Sequence, residues 1–166
     1  MARWLLSIAA AAVLAAAPAA QAATSVTFVF TSYTTITKTH DSAPRGKANK
    51  GDRIDFKDLL VTTGKQLGKA KGKAVGYDAG TVLYTSATRQ MISGVTTFPG
   101  LGTITFEGEM KTAKDGTVTV PIVGGTGQFK GVKGTLVIGT GDQKAPNTYR
   151  LSLRHALVLP GGGGVA

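Results

Sequence analysis

The sequence predicts an all-β domain, an eight-stranded antiparallel up-and-down barrel. Beyond the first 22 residues the chain is rich in Thr, Val and Gly and poor in Leu, Glu and Ala, which favours strands and turns over helices. Apolar and polar residues alternate, as at Val26, Phe28 and Phe30, and this period of two is typical of strands with one buried face. Eight short strands that meander along the chain close into a barrel wide enough for side chains or one small ligand.

Each predicted strand is an alternating run that lies between two turn signals. Ile54 and Phe56 alternate with charged residues, and Ile104 and Phe106 alternate with polar ones. Asp115-Gly116 is a strong hairpin signal, and the glycine-rich segment 124–134 predicts a longer connection. The eight predicted strands are 25–37, 52–62, 67–84, 88–98, 102–111, 117–123, 134–140 and 147–159.

The predicted strand 67–84 has an unusual pattern. Its lysines Lys69, Lys71 and Lys73 share one face, and the small residues from Gly68 to Ala74 share the other. Small residues on the inner face of a barrel strand either leave room for a cavity or let a neighbouring side chain fill the space. The sequence leaves both alternatives open.

The first 22 residues have the order of a secretory signal peptide. Arg3 supplies the positive charge, Trp4–Ala17 is an apolar run, and Ala20-Gln21-Ala22 is a small-x-small cleavage site. The alternative is an uncleaved anchor, but a spanning helix needs about 20 apolar residues, and this run is shorter. We therefore expect a signal peptide at 1–22, a barrel domain at 23–159, a flexible glycine-rich tail at 160–166, and a secreted or periplasmic product with no membrane span after signal removal.

The chain is strongly basic, with a net charge of +10, and it contains no cysteine. A basic exported protein could meet anionic polymers, membrane surfaces or acidic small molecules, although lysines that merely solvate strand faces give the same composition. Nucleic acid is disfavoured as a partner for an exported chain. Without cysteine, neither a disulfide framework nor a lipid-modified cysteine is expected.

The sequence offers little metal or nucleotide chemistry. His40 and His155 are far apart, so no metal site is expected, and His155 has the parity of a packed strand residue. The Gly-Lys pairs lack the rest of a phosphate-binding loop, so no cofactor is expected.

One ionisable group has an unusual position. Asp58 shares the parity of Ile54, Phe56 and Leu60, which puts a carboxyl on an apolar strand face. Such a group is a candidate for a functional site, unless a bulge returns it to solvent or a lysine pairs with it. Asp58 is accordingly the candidate catalytic residue.

Three segments carry a resemblance to a known superfamily. The glycine-rich Gly-Gly-Thr-Gly-Gln-Phe-Lys-Gly-Val-Lys-Gly of 124–134, the Gly-Asp opening of 51–58 and the Leu-Gly-x-x-x-Gly of 67–72 resemble the allene oxide cyclase and dirigent barrels. The resemblance covers most of 25–159 and implies an eight-stranded antiparallel barrel, commonly trimeric. It also implies that Ile54 and Phe56 line a pocket, and that Asp58 takes the place of a water-holding asparagine in the cyclases. The glutamate on the first strand of the cyclases has no counterpart among residues 32–37.

Three functions follow from these expectations. The first is a barrel that binds and orients a small hydrophobic or phenolic ligand, as dirigent proteins do. The second is an isomerase or cyclase that acts on an oxidised, lipid-type epoxide, with Asp58 as acid or base and Tyr77, Tyr149 or Lys133 assisting. The third is a structural protein whose basic surface contacts an anionic polymer.

Overall fold

The computed structural model describes residues 24–111, 113, 116–139 and 144–153. The predicted signal peptide 1–22, the tail 160–166, Asp115 and His155 lie outside the described residues. No helix among the described residues is long and apolar enough to cross a membrane.

The chain forms a closed barrel of eight strands in sequence order, and each strand pairs antiparallel with its neighbours. Strands β1 and β8 pair with each other and close the barrel. The predicted fold class is therefore confirmed. The strands are β1 (Thr24–His40), β2 (Arg53–Thr62), β3 (Ala74–Tyr84), β4 (Gln90–Phe98), β5 (Gly102–Glu109), β6 (Thr117–Gly125), β7 (Lys133–Gly139) and β8 (Lys144–Leu153).

The strands alternate between the core and the outer surface because successive side chains of a strand point to opposite faces. The core is built from this inward set, and an aromatic group forms its centre. Neighbouring rings of this group have centroids 5.3 to 6.2 Å apart, a spacing at which aromatic pairs attract. The group comprises Phe28, Phe30, Phe98, Phe129 and Tyr149.

The two ends of the barrel carry different loops. We call the end at which β1 begins the lower end; it holds the loops 63–73, 99–101 and 126–132. We call the opposite end the upper end; it holds the loop 41–52, which is fixed by the buried Asp52. Asp52 accepts hydrogen bonds from Ser42 and from the backbone N–H of Asn49, and these bonds lower the pKa of its carboxyl group.

The predicted strand 67–84 is wrong in its first part, because β3 begins only at Ala74. Residues 63–73 form a loop in which Gln66 and Lys69 exchange backbone hydrogen bonds across a tight turn. The turn residues Leu67 and Gly68 have positive φ angles of 48° and 72°. Gly68, Ala70 and the lysines are all exposed. The small residues of the loop therefore lie outside the barrel interior, and neither alternative for the inner face of this strand applies to them.

The glycine-rich connection is also shorter than predicted. Gly124 and Gly125 belong to β6, and a single 3-10 turn, Gly127–Phe129, follows. The side chain of Phe129 is fully buried and joins the aromatic group. The segment thus closes the lower end of the barrel from inside.

Candidate functional site

A polar cluster lies inside the barrel, next to the aromatic group. Its members are inward-facing residues of five different strands, brought together by the closure of the sheet. They are Ser32 of β1, Asp58 of β2, Asp78 of β3, Thr96 of β4, and Asn147 and Tyr149 of β8.

Asp78 is the centre of the cluster, with only 2% of its surface exposed. Tyr149 Oη donates to the carboxylate and lies 2.8 and 2.9 Å from its two oxygens. Asn147 Nδ2 donates to Asp78 Oδ2 at 3.1 Å, and Thr96 Oγ1 lies 2.9 Å from Tyr149 Oη. All of these partners are neutral, so no cation lies in the hydrogen-bond shell of this carboxylate among the residues that the structure describes.

Asp58 is the partner of Asp78 in the register between β2 and β3. Two side chains at directly opposite positions of antiparallel strands lie on the same face and close together. Ser32 Oγ donates to Asp58 Oδ2 at 3.1 Å. The sequence-predicted Asp58 therefore faces the interior and belongs to a pair of carboxyl groups.

Two acceptor atoms of the cluster remain unpaired. Asp58 Oδ1 and Asn147 Oδ1 are buried and have no hydrogen-bond partner among the described residues. Buried polar atoms in native proteins nearly always have a partner, because an unpaired one costs free energy. Both atoms are acceptors, so the missing partner is a hydrogen-bond donor.

Burial raises the pKa of Asp78 to about 6. Hydrogen bonds from Thr96, Tyr149 and Asn147 oppose this rise, and the charge of nearby Asp58 adds to it. Burial and the adjacent Asp78 carboxylate raise the pKa of Tyr149 well above its usual value, so Tyr149 stays a donor. A carboxyl group with a pKa near neutrality can both accept and release a proton under ordinary conditions.

Two glycines make room for aromatic rings on the upper side of the cluster. A Cβ atom on Gly80 would lie 2.9 Å from the ring of Phe56, and one on Gly94 would lie 2.5 Å from the ring of Phe106. Gly80 and Gly94 are register partners, so the two rings cover adjacent glycines of β3 and β4. The interior therefore combines polar groups with flat apolar walls.

The remaining predicted residues lie at different places in the barrel. Phe56 is half-buried and packs against the core, and Tyr149 belongs to the cluster. Ile54 is half-buried and lines a cleft of about 200 Å³ at the upper end, between β2 and the loop 41–52. The structure thus places Asp58, Phe56 and Tyr149 on the interior side and Ile54 at the upper opening.

Tyr77 and Lys133 lie on the outer surface and do not reach the cluster. Tyr77 alternates with the inward Asp78, and the Nζ of exposed Lys57 lies 4.5 Å from the centre of its ring. Lys133 is exposed at the start of β7, where it pairs with Ser152 of β8. Neither residue therefore belongs to the polar cluster.

The sequence did not predict four members of the cluster: Ser32, Asp78, Thr96 and Asn147. Asp78 carried a usable signal, because it lies between Gly76 and Gly80 on the face that also holds Val82. An acid between glycines on a strand face indicates a crowded interior position. No group of three or more His, Cys, Asp or Glu residues that could hold a metal ion occurs among the described residues.

Several solved structures share this fold. A pyocyanin demethylase superposes with a TM-score of 0.64 at 24% identity, covering 76% of this chain and 99% of that chain. A pterocarpan synthase dirigent protein gives 0.60 at 16% identity, with 92% and 98% covered. The Diels-Alderase AbmU from Streptomyces koyangensis gives 0.63 at 18% identity, with 87% and 73% covered.

No protein-family model matches the sequence, and no curated protein sequence matches it either. The similarity to solved structures is therefore a similarity of fold. At that level, the resemblance to dirigent-like and cyclase-like barrels that the sequence suggested is confirmed.

Proposed function

We propose that this barrel binds a small, partly apolar molecule in its interior and holds it through a hydroxyl or another hydrogen-bond donor. One observation carries the proposal: two buried acceptor atoms, Asp58 Oδ1 and Asn147 Oδ1, have no hydrogen-bond partner among the described residues and lie beside the buried Asp78. The rings of Phe56 and Phe106 supply apolar walls for the rest of the ligand. A phenolic compound has both features.

The charge of the site selects against anionic ligands. Asp58 and Asp78 are adjacent, and their hydrogen-bond partners among the described residues are neutral groups. An anionic carboxylate brought next to them would be repelled in an environment of low dielectric constant. The site therefore favours neutral donors over carboxylates such as fatty acids.

The names of similar barrels support a small-molecule function. They include a demethylase of pyocyanin, a pterocarpan synthase of the dirigent type and a Diels-Alderase. Each name refers to chemistry on a small organic compound. The identities of 16 to 24% leave the ligand of this chain to be found by experiment.

A set of matched ligands tests the proposal. The melting temperature of the protein is measured with phenols, with their methyl ethers and with aromatic carboxylates. We expect phenols to raise the melting temperature and methyl ethers to raise it far less, because the ethers lack the donor. Equal shifts for phenols and ethers, or no shift with any compound, would contradict the proposal.

A pair of variants locates the binding site. Asp58→Asn changes one acceptor of the cluster, and Glu107→Gln makes the same change of charge on the exposed outer face of β5. We expect Asp58→Asn to weaken phenol binding by about tenfold or more, the effect of a hydrogen bond to a charged group. Glu107→Gln should leave the affinity unchanged.

The carboxyl pair favours a second candidate function, an isomerase or cyclase. Asp78 has a pKa of about 6 and a carboxyl neighbour, an arrangement that allows one group to donate a proton while the other accepts one. If the protein turns over an epoxide, Asp78→Asn should lower kcat by about a hundredfold or more. Unchanged turnover in Asp78→Asn would exclude this role.

We also propose that the protein acts after export and assembles with further copies of itself. The N-terminal pattern of charge, apolar run and small residues supports export. Exposed apolar residues on the outer face of β2, β3 and β4, namely Leu59, Leu83 and Val95, support assembly. Cell fractionation with mass analysis of the N-terminus tests export, and light scattering after gel filtration tests for a homotrimer.

A further inference from the structure

The lower end of the barrel carries a dense set of exposed lysines. Four of them belong to the loop 63–73, and two follow β6 and open β7. All six are exposed, and no ion pair involves them among the residues that the structure describes. We call this set the lower lysines: Lys65, Lys69, Lys71, Lys73, Lys130 and Lys133.

The acidic residues are absent from the same half of the barrel. The segments that build this half are 24–33, 59–77, 97–106, 121–136 and 148–153, and they contain no Asp or Glu. The ion pairs among the described residues all lie in the other half, where Asp55 and Glu109 contact basic side chains. Among the described residues, the fold thus places positive charge at the lower end with no acidic side chain to compensate it.

The loop that carries four of these lysines has a defined shape. Thr62 Oγ1 donates to the backbone oxygen of Ala70 at 2.6 Å and accepts from the backbone N–H of Lys73. The side chain of Gln66 donates to the oxygen of Val29 and accepts from its N–H, both at 2.8 Å. Backbone groups and neutral side chains make these hydrogen bonds, and the amino groups of the lysines are not among their donors.

An apolar cleft opens beside the lysines at the same end. It has a volume of about 110 Å³ and lies between the loop 63–73 and the turn after β4. Its walls combine apolar side chains with the stem of one lysine: Leu67, Gly68, Lys69, Val75, Pro99 and Leu101. A soluble polyanion has no apolar part that could fill such a cleft, whereas a lipid has apolar chains next to an anionic headgroup.

We infer that the lower end of the barrel binds the surface of an anionic phospholipid bilayer. The lower lysines contact the headgroups, and the cleft beside Lys69 receives an apolar part of a lipid. Basic residues near such a surface strengthen binding by about fivefold each at low ionic strength, and the attraction falls with added salt. Neither the lower lysines nor the cleft walls include a residue of the interior polar cluster, so this inference is independent of the proposed function.

Vesicle co-sedimentation tests the inference with two variants of equal net charge. One replaces Lys65, Lys69, Lys71 and Lys73 by Gln. The other replaces four exposed basic residues of the upper half, Lys38, Arg45, Lys47 and Lys50, by Gln. The chain from Ala23 onward is used, because its described core lies within residues 24–153.

We expect the parent protein to bind vesicles that contain phosphatidylglycerol, and to bind phosphatidylcholine vesicles weakly. The lower-end variant should lose about a hundredfold or more in affinity, while the upper-half variant retains most of it. Melting temperatures establish that both variants are folded, and the single substitution K71Q, with an expected loss of about fivefold, replaces the fourfold variant if that one unfolds.

Three results would overturn the inference. The first is the absence of salt-sensitive binding to the anionic vesicles. The second is an equal loss in both variants, which would show that net charge alone attracts the protein. The third is tight binding to inorganic polyphosphate with none to vesicles, which would assign the lower lysines to a soluble polyanion.

Discussion

At the scale of single residues, Asp78 makes the free energy of unfolding depend on pH. Burial raises its pKa to about 6 from an ordinary value of 3.8, so the folded state holds the proton more tightly than the unfolded state. The stabilisation by this proton is complete below pH 3.8 and is lost as the pH rises through about 6. The shift of roughly two pH units corresponds to about 3 kcal/mol at most.

The substitution Asp78→Asn tests this dependence. The amide is uncharged at every pH and can still accept from Tyr149, so we expect the free energy of unfolding at pH 7 to rise by about 1–3 kcal/mol. Urea unfolding between pH 4 and pH 7 should show a falling stability in the parent and a flatter profile in the variant. Glu107→Gln serves as the control and should keep the parent profile. Parallel profiles for Asp78→Asn and the parent would contradict the assignment.

The hydroxyl group of Tyr149 is the second residue-scale test. Tyr149→Phe keeps the ring contacts with Phe30 and Phe98 but removes the donor to both oxygens of Asp78. We expect a loss of about 1–3 kcal/mol at pH 7, and a smaller loss near pH 4, where Asp78 is protonated. Urea unfolding at the two pH values measures the difference. A loss of the same size at both would show that the hydroxyl does not act through the charge of Asp78.

The sequence predicted part of this site. Asp58 was identified because it has the parity of Phe56 and Leu60, and parity along one strand is a local property. Its neighbour Asp78 was not identified, although it has the parity of Gly76 and Gly80, because the interpretation of the predicted strand 67–84 rested on residues 68–74, most of which form a loop. The contact between Asp58 and Asp78 depends on the register of β2 with β3, which a loop of eleven residues sets.

At the scale of the strand, Gly80 and Gly94 determine how the interior is filled. A Cβ atom at Gly80 would clash with the backbone oxygen of Ser93 and lie 2.9 Å from the ring of Phe56. Backbone atoms within a paired sheet cannot move aside easily. We therefore expect Gly80→Ala to lower the free energy of unfolding by about 1–3 kcal/mol, as overpacking does.

Gly124→Ala is the matched control, because Gly124 also lies in a strand but has no atom within 4 Å of the added carbon. Its stability should change by less than about 0.5 kcal/mol. Chemical denaturation compares the two variants with the parent. A Gly80→Ala protein as stable as the Gly124→Ala protein would show that the walls beside Phe56 are not tightly packed.

The alternation of apolar and polar residues predicted where strands occur, but it did not predict the residues at which each strand begins and ends. Phe28 and Phe30, or Val118 and Val120, bury one face of a strand and keep the other polar. The segment 67–73 also alternates, but between lysine and small residues, and neither set has apolar surface to bury. Without that gain, the backbone turns at Leu67 and Gly68 instead of continuing as a strand.

At the scale of the whole molecule, closure of the barrel creates features that no single strand contains. It brings inward residues of five strands into one polar cluster, and it gathers the lower lysines at one end. The eight-stranded architecture followed from periodicity and from the resemblance in the glycine-rich segment. The residues of the polar cluster could not be predicted from the sequence, because their proximity depends on the register between each pair of neighbouring strands around the barrel.

A carbon-13 NMR titration of the aspartate carboxyl groups is the sharpest test of ligand binding inside the barrel. A phenol that raises the melting temperature is added to the labelled protein at constant pH. We predict that the carboxyl signals of Asp58 and Asp78 shift as the ligand binds, while that of Asp55 on the outer face of β2 stays in place. Shifts confined to outer carboxyl groups, with the two interior signals unchanged at saturation, would contradict binding inside the barrel.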